Sequence, residues 1–220
     1  MCQKRVAMRV VSTNSKMPGY PARMVRVWGI ALALWLLSAF LSAADSVPLA
    51  KMEVADVNGV AFRPFEAKQQ KATLLIFTTH DCPIANAYAP EIKRICETYE
   101  SKGVRIFLVH VDLDFSAENA KKHADEFGFT CPVLLDRTHA LVKAAGATMT
   151  PEAALFSPDG TLQYLGRIDD LYAAYMKKRP APTRRDLREA LDELLAGKSV
   201  SIKRAEPIGC YIPEIEGAKK

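Results

Sequence analysis

The chain has 220 residues, of which 49% are hydrophobic and 25% charged, and it contains five cysteines. This composition is that of a globular protein, and it excludes both wholesale disorder and a small disulfide-framework protein. Six of the cations, and no acid, lie in the first 26 residues, so the net charge of +5 falls to about −1 without them. Net charge therefore does not indicate a nucleic-acid-binding surface, and we expect no nucleic-acid partner.

The first 44 residues have the three-part layout of a secretory signal peptide. A basic region precedes the uncharged apolar run Val27–Leu41, and the small residues Ser42-Ala43-Ala44 follow it. The apolar run is shorter than the ~20 residues of a transmembrane helix. We predict that residues 1–44 are a cleaved signal peptide; an uncleaved membrane anchor and a buried core helix are the alternatives. The protein is therefore expected to be exported to the periplasm or the extracellular space, where disulfides can persist.

Beyond the leader, strand and helix patterns alternate, followed by a strand hairpin and a last helix. Continuous apolar runs predict strands buried on both faces, and helical spacing predicts the helices between them. In chain order we predict a hairpin at 52–62, a strand at 72–79, a helix at 84–101, a strand at 104–112, a helix at 116–127, a strand at 132–136, a helix at 139–145, strands at 152–157 and 162–168, a loop at 169–182 and a helix at 183–196.

This order predicts an α/β fold with a central mixed sheet flanked by helices on both faces. Thr183 and Asp186 resemble a capping box at the start of the last helix. We expect one domain over residues 47–197, followed by an extended tail at 198–220 that carries proline and glycine breaks around Cys210.

The segment Phe77–Glu91 (FTTHDCPIANAYAPE) carries the clearest chemical signal. Cys82 follows a buried strand and directly precedes a predicted helix, with Pro83 in its first turn. Unpaired N–H groups and the positive end of the helix dipole favour a thiolate at such a place. Cys82 is therefore a candidate nucleophile, and the alternative is a small buried hydrophobic residue.

These residues resemble the thioredoxin-like superfamily, in particular exported redoxins of the AhpC/TSA-like, peroxiredoxin-related type. As in thioredoxins, a proline (Pro90) lies eight residues after the active cysteine, and Thr150-Pro151 matches the cis-proline that faces it. The strand and helix at 132–145 look like the redoxin insertion, and the likeness covers about residues 48–197. The resemblance implies that Pro151 and Thr150 orient a substrate backbone.

Two departures from the family patterns limit what the resemblance implies. Ala85 stands where thioredoxins have the second cysteine of Cys-x-x-Cys. Thr79 matches the Thr or Ser that precedes a peroxidatic cysteine by three, but Leu75 replaces the proline seven residues before it. Peroxidases also need an arginine near the thiolate, and Arg167 is the candidate; a surface salt bridge is its alternative.

A partner for Cys82 within the chain must come from the other cysteines of the mature protein. Cys96 lies 14 residues further along the predicted helix, ~21 Å away, so a direct bond needs a helix break. We expect Cys131 at the opposite end of the sheet, and both Cys96 and Cys131 as structural. Cys210 on the tail remains, and Gly209 would ease its approach; the alternatives are a free Cys210 or a bond between two chains.

Histidine and amide side chains near Cys82 are further candidates. His80 could stabilise a thiolate. It could also bind copper together with Cys82, as in the metallochaperone branch of this fold, but Asn86 occupies the position where that branch has its second cysteine. Asn86 could equally line a substrate face. We expect His110 in the core and His123 and His139 on helix surfaces.

Two functional hypotheses follow. The first is an exported thiol oxidoreductase in which Cys82 attacks a disulfide or a peroxide, Cys210 or an external thiol resolves the product, and an external reductant restores the enzyme. The second is a non-catalytic binding module for copper or a partner protein. The first hypothesis needs neither a cofactor nor a bound metal.

Overall fold

The fold is described from a computed structural model, which describes residues 48–66 and 69–215. The predicted leader at residues 1–44 lies outside the described residues. Among the helices that are described, none is long and apolar enough to cross a membrane.

Short strands and helices alternate along the chain. The strands are β1 (Val54–Ala55), β2 (Ala61–Phe62), β3 (Ala72–Thr78), β4 (Val104–His110), β5 (Val133–Leu135), β6 (Met149–Thr150), β7 (Glu152–Phe156), β8 (Leu162–Gly166), β9 (Tyr172–Ala174), β10 (Lys177–Lys178), β11 (Arg204–Ala205) and β12 (Cys210–Tyr211). The α-helices are α1 (Pro83–Ala87), α2 (Ala89–Tyr99), α3 (Ala117–Phe127), α4 (Ala140–Ala145) and α5 (Asp186–Leu195), and single 3-10 turns lie at Leu49–Lys51 and Glu100–Lys102.

Six strands form the central sheet in the order β11-β8-β7-β3-β4-β5. The strands β3, β4 and β5 are parallel, whereas β7 runs antiparallel to both β3 and β8. The predicted mixed sheet and the β1–β2 hairpin are confirmed. Because Phe77 near the end of β3 pairs with Glu152 at the start of β7, the loop after β3 and the loop before β7 meet at one sheet edge.

The sheet is buried on both faces, which explains the continuous apolar pattern of β3. All seven of its residues are buried. Leu74 and Ile76 pack in one core cluster with residues of α1, α2 and α5, whereas Leu75 and Phe77 belong to a second cluster with residues of α4. Burial of each large side chain contributes roughly 1.5–3 kcal/mol, so β3 is a rigid base for the loop that follows it.

The predicted long helix at 84–101 is two helices. It is interrupted at Tyr88, and α2 begins with Pro90 in its first turn. A proline has no N–H and its ring collides with the preceding turn, so it is accepted at a helix start rather than inside one. The break separates a short helix that carries Cys82 at its N-terminus from the longer α2.

Two other sequence predictions were wrong. The segment at 169–182 is not simply a loop, because β9 and β10 form an antiparallel hairpin within it. The capping box is absent: the Thr183 hydroxyl donates to Asp170, the N-cap residue of α5 is Arg185, and the helix begins at Asp186. The Asp170 carboxylate also accepts from the Thr183 and Arg184 N–H groups, which closes the hairpin segment.

The tail after residue 197 is paired with the rest of the fold at two points. The strand β11 joins the central sheet parallel to β8, and β12 pairs antiparallel with β6. Glycines permit both approaches: a Cβ on Gly166 would lie 2.1 Å from the Ala205 carbonyl oxygen, and one on Gly209 would lie 1.9 Å from the Thr150 carbonyl oxygen. Both distances are far below van der Waals contact, so only glycine fits at these positions.

Candidate active site

Cys82 is the N-cap residue of α1. Its Sγ accepts a hydrogen bond from the Ala85 N–H at 3.4 Å, and its residue has no exposed surface. An N–H donor at the first turn of a helix stabilises negative charge on the sulfur. The predicted position of Cys82 at a helix N-terminus is therefore found, although Cys82 is fully covered in this conformation.

The loop before β7 faces Cys82 across the sheet edge. In its thiol form, the Cys82 Sγ donates to the Thr150 carbonyl oxygen at 3.2 Å. The Thr150-Pro151 peptide bond is cis, and the Thr150 and Thr79 hydroxyls lie 3.3 Å apart. The structure thus brings together four of the residues that the sequence singled out.

Cys210 reaches the same loop from the other side. In the β12–β6 pairing Cys210 stands opposite Thr150, whose hydroxyl donates to the Cys210 carbonyl oxygen at 3.4 Å. The Cys210 thiol interacts with that of Cys82, and both are free thiols. Burial first, and then the hydrogen bond and charge of Cys82, raise the pKa of Cys210 to about 12. Cys210 therefore keeps its proton at neutral pH, next to Cys82.

Tyr175, at the tip of the β9–β10 hairpin, is a site residue that sequence reasoning missed. The charge of Cys210 is the first cause that raises the pKa of Tyr175, whose hydroxyl therefore lies close to the Cys210 sulfur. The side chain is otherwise largely exposed. No local pattern could have predicted this contact, because it depends on both the hairpin and the tail pairing.

His80 and Asn86 are close to Cys82 in sequence but are bonded elsewhere. The His80 Nδ1 lies 3.0 Å from Asp112 Oδ1, and the Asn86 side-chain amide donates to the His80 carbonyl oxygen at 2.9 Å. Asn86 Oδ1 lies 3.0 Å from Nε2 of His123. Among the described residues, no side-chain hydrogen bond joins His80 or Asn86 to Cys82; the one link is in the backbone, where the Asn86 N–H donates to the Cys82 carbonyl oxygen at 3.0 Å.

Arg167 is engaged by a carboxylate. Its Nε donates to Asp186 Oδ2 at 2.8 Å, and this hydrogen bond is the main reason that the pKa of Arg167 is raised. In the part of the chain that the structure describes, neither Cys82 nor Cys210 forms a hydrogen bond with Arg167. The guanidinium is thus held by α5 and not by the thiols.

Cys96 and Cys131 form a second thiol pair inside the core. Both are buried, and a hydrogen bond between them, followed by burial, raises the pKa of Cys96. The expectation that Cys131 lies at the far end of the sheet was wrong, because β5 pairs only with the second half of β4, with Val133 opposite Leu108. Both cysteines are nevertheless internal, as predicted.

Two histidines outside the thiol site, His110 and His123, pack against each other, which sequence reasoning also missed. His110 is in the core as expected, but His123 and His139, predicted on helix surfaces, are buried. The His110 ring lies 5.4 Å from that of His123, centroid to centroid. Burial first, and then the charges of His110 and His80, lower the pKa of His123 to about 4.

A fold with a cysteine at a helix N-terminus, opposite a cis-proline, is a thioredoxin-like fold with a thiol site. The sequence profile of the Redoxin family matches residues 42–175. This chain belongs to the Redoxin family.

Solved structures share the fold. An uncharacterized conserved protein from Geobacillus kaustophilus is 30% identical with a TM-score of 0.67, over 76% of this chain and 90% of that one. A hypothetical protein from Sinorhizobium meliloti 1021 is 25% identical with a TM-score of 0.66, over 76% and 92%. MTB dsbF, at 16% identity and a TM-score of 0.50 over 67% and 98%, shares the fold. No curated protein sequence matches the chain.

Proposed function

We propose that the protein is a thiol–disulfide oxidoreductase that uses Cys82 and Cys210 as its redox couple. The observation that carries this proposal is the meeting of the two thiols at Thr150-Pro151, where Cys82 Sγ donates to the Thr150 carbonyl oxygen and Cys210 stands opposite Thr150. The pair replaces the Cys-x-x-Cys centre that Ala85 interrupts. Thiol chemistry of this kind needs no cofactor.

The reaction has two steps that exchange sulfur bonds. Cys82, as the thiolate, attacks one sulfur of a substrate disulfide, forms a mixed disulfide and releases the other substrate sulfur as a thiolate. Cys210 then loses its proton to solvent and attacks Cys82 Sγ, which releases the second substrate sulfur and leaves a Cys82–Cys210 disulfide. The substrate gains two electrons, and an external dithiol reductant restores the protein by the reverse sequence.

The Ala85 N–H and the helix N-terminus favour Cys82 as the thiolate of the pair, because both stabilise negative charge at its sulfur. Cys82 is covered in the reduced conformation, whereas Cys210 is partly exposed. The tail at Cys210 therefore has to move before a protein disulfide reaches Cys82. Thr150-Pro151 and Thr79 would then contact the substrate backbone.

Disulfide exchange is favoured over peroxide reduction by the position of the arginine. A peroxidase needs a cation that faces its thiolate, and the Arg167 guanidinium pairs with Asp186 instead. We also propose that the protein works outside the cytoplasm, in the periplasm or extracellular space, either cleaved from its leader or tethered by it. This proposal rests on the sequence of residues 1–44.

Peptide mass mapping of the oxidised protein tests the couple. We expect a reducible bond between Cys82 and Cys210. In addition, the reduced Cys210→Ser variant should accumulate a mixed disulfide on Cys82 with a disulfide-bonded peptide, and Cys82→Ser should not.

Cys96→Ser is the matched control, and it should behave as the unaltered protein does. The proposal fails if Cys82 stays free after oxidation, or if Cys210→Ser and Cys82→Ser accumulate the mixed disulfide equally.

A further inference from the structure

Three side chains with metal-ligand atoms converge on one side of the loop after β3. His80, Asp81 and Asp112 each offer one ligand atom, and these atoms lie within 4.8 Å of one another. His80 Nδ1 and Asp112 Oδ1 are already 3.0 Å apart. Ligand atoms in a tetrahedral zinc site lie about 3.3 Å apart, because each is 2.0–2.2 Å from the ion.

The group would contract around an ion. The His80 ring is held by stacking on Phe115, with centroids 4.2 Å apart, so rotation of the exposed Asp81 side chain would bring the third ligand atom inwards. Asp112 is the fixed member: it also accepts from the His80 backbone N–H at 3.1 Å, and its Oδ2 lies 2.7 Å from Nδ1 of the buried His110.

A second observation concerns the buried histidines next to this group. Within the described residues, His110 Nε2 and His123 Nδ1 are buried side-chain atoms with no hydrogen-bond partner, whereas His110 Nδ1 stands 2.7 Å from Asp112 Oδ2. His110 is 1% exposed and stands against Asp112, and His123 is 7% exposed and packs against His110. An unpartnered buried polar atom is costly in free energy and often marks an ion or water site.

The donor set indicates the class of metal. Imidazole favours zinc, copper and nickel over calcium and magnesium, and a ligand set of one imidazole and two carboxylates leaves a fourth position for water, as in open zinc sites. Behind it, His110 would hold the Asp112 carboxylate from the core side, in the manner of outer partners that orient metal ligands.

We propose that His80, Asp81 and Asp112 bind a divalent cation of the zinc class, with His110 as a positioning residue for Asp112. The site lies beside the thiol pair but does not use it. It differs from the copper site considered from the sequence, which would require Cys82 as a ligand.

Zn²⁺ titration by calorimetry tests the proposal. Because thiolates also bind zinc, the titrated protein is untagged and carries Cys82→Ser and Cys210→Ser. We expect one Zn²⁺ per chain, and a loss of affinity of at least about tenfold on adding His80→Ala or Asp112→Asn. The matched control is Asp114→Asn, which removes an exposed carboxylate two residues from Asp112 and should leave the affinity unchanged.

Two results would overturn the metal site. One is the absence of Zn²⁺ binding by the serine double variant. The other is binding that His80→Ala and Asp112→Asn leave intact, or that Asp114→Asn weakens equally. Circular dichroism of each variant shows whether it is still folded, so that loss of a metal ligand is distinguished from unfolding. The thiol couple is tested by peptide mapping alone, so either proposal can fail without the other.

Discussion

The protein holds two pairs of neighbouring thiols in very different settings. Cys82 and Cys210 meet at a sheet edge, beside a helix N-terminus and a cis-proline loop, with Cys210 partly exposed. Cys96 and Cys131 meet inside the core, where burial opposes ionisation. Proximity of two thiols is thus common to both pairs, whereas a helix N-terminus and access from solvent belong only to the first. The comparison teaches that the surroundings, and not the pairing, make a thiol reactive.

The largest expected contrast is in stability on oxidation. A Cys82–Cys210 bond closes a loop on the order of 100 residues. The loss of chain entropy in the unfolded state then stabilises the folded protein by about 4.7 kcal/mol. We expect the oxidised protein to unfold at higher urea concentration than the reduced protein. Cys210→Ser should abolish this difference in stability, and Cys96→Ser should retain it. If the oxidised Cys210→Ser variant were still more stable than its reduced form, the stabilising bond would lie between other cysteines.

Exchange activity should separate the two pairs next. We expect Cys82→Ser to lower the rate of reduction of a model disulfide at least about 100-fold, because it removes the nucleophile. Cys96→Ser and Cys131→Ser should leave the rate unchanged. A comparable loss of activity in either core variant would show that the two pairs communicate.

Gly209→Ala should weaken the first pair without touching either sulfur. A Cβ at this position would meet the Thr150 carbonyl oxygen at 1.9 Å, so β12 has to shift away from β6. We expect a loss of about 1–3 kcal/mol in unfolding free energy and a lower yield of the Cys82–Cys210 bond. Ser201→Ala, at an exposed tail position, is the control; a normal yield in Gly209→Ala would mean that the close approach is dispensable.

The smallest effect concerns the pH dependence of Cys210 alkylation. Because the pKa of Cys210 is raised to about 12, its alkylation should accelerate with rising pH well beyond the range of an ordinary thiol. Cys82→Ser removes a cause of the increase and should move the profile to lower pH. Tyr175→Phe removes a hydrogen bond that lowers the pKa and should move the profile slightly upwards. Identical pH profiles in the unaltered protein, Cys82→Ser and Tyr175→Phe would show that neither residue acts on the Cys210 thiol.

Much of the fold could be predicted because it is encoded locally. The buried strands β3 and β4 are continuous apolar runs, and α3 has its Ser116 cap and terminal Gly128, so the sequence patterns place them within a few residues. The position of Cys82 follows from the same local signals, as does the turn that carries Thr150-Pro151. Here the residues near each other in sequence decide the structure.

The remainder depends on contacts between distant segments. The strands β11 and β12 have two residues each, too short for any alternation, and they form only because the tail crosses Gly166 and Thr150. The Cys96–Cys131 contact likewise needs the register of β5 on β4, and the burial of His123 needs α3 to pack beside β4. These contacts join residues that are far apart in sequence, so they could not be predicted from sequence spacing alone.

The pairing of β12 with β6 also sets the order in which the redox couple is completed during synthesis. Cys82, Cys96 and Cys131 all leave the ribosome before Cys210, so the nascent chain holds its nucleophile for a time without its native partner. Completion of the proposed couple therefore waits for the tail, whereas Cys96 and Cys131 are both made before it and can already meet in the core.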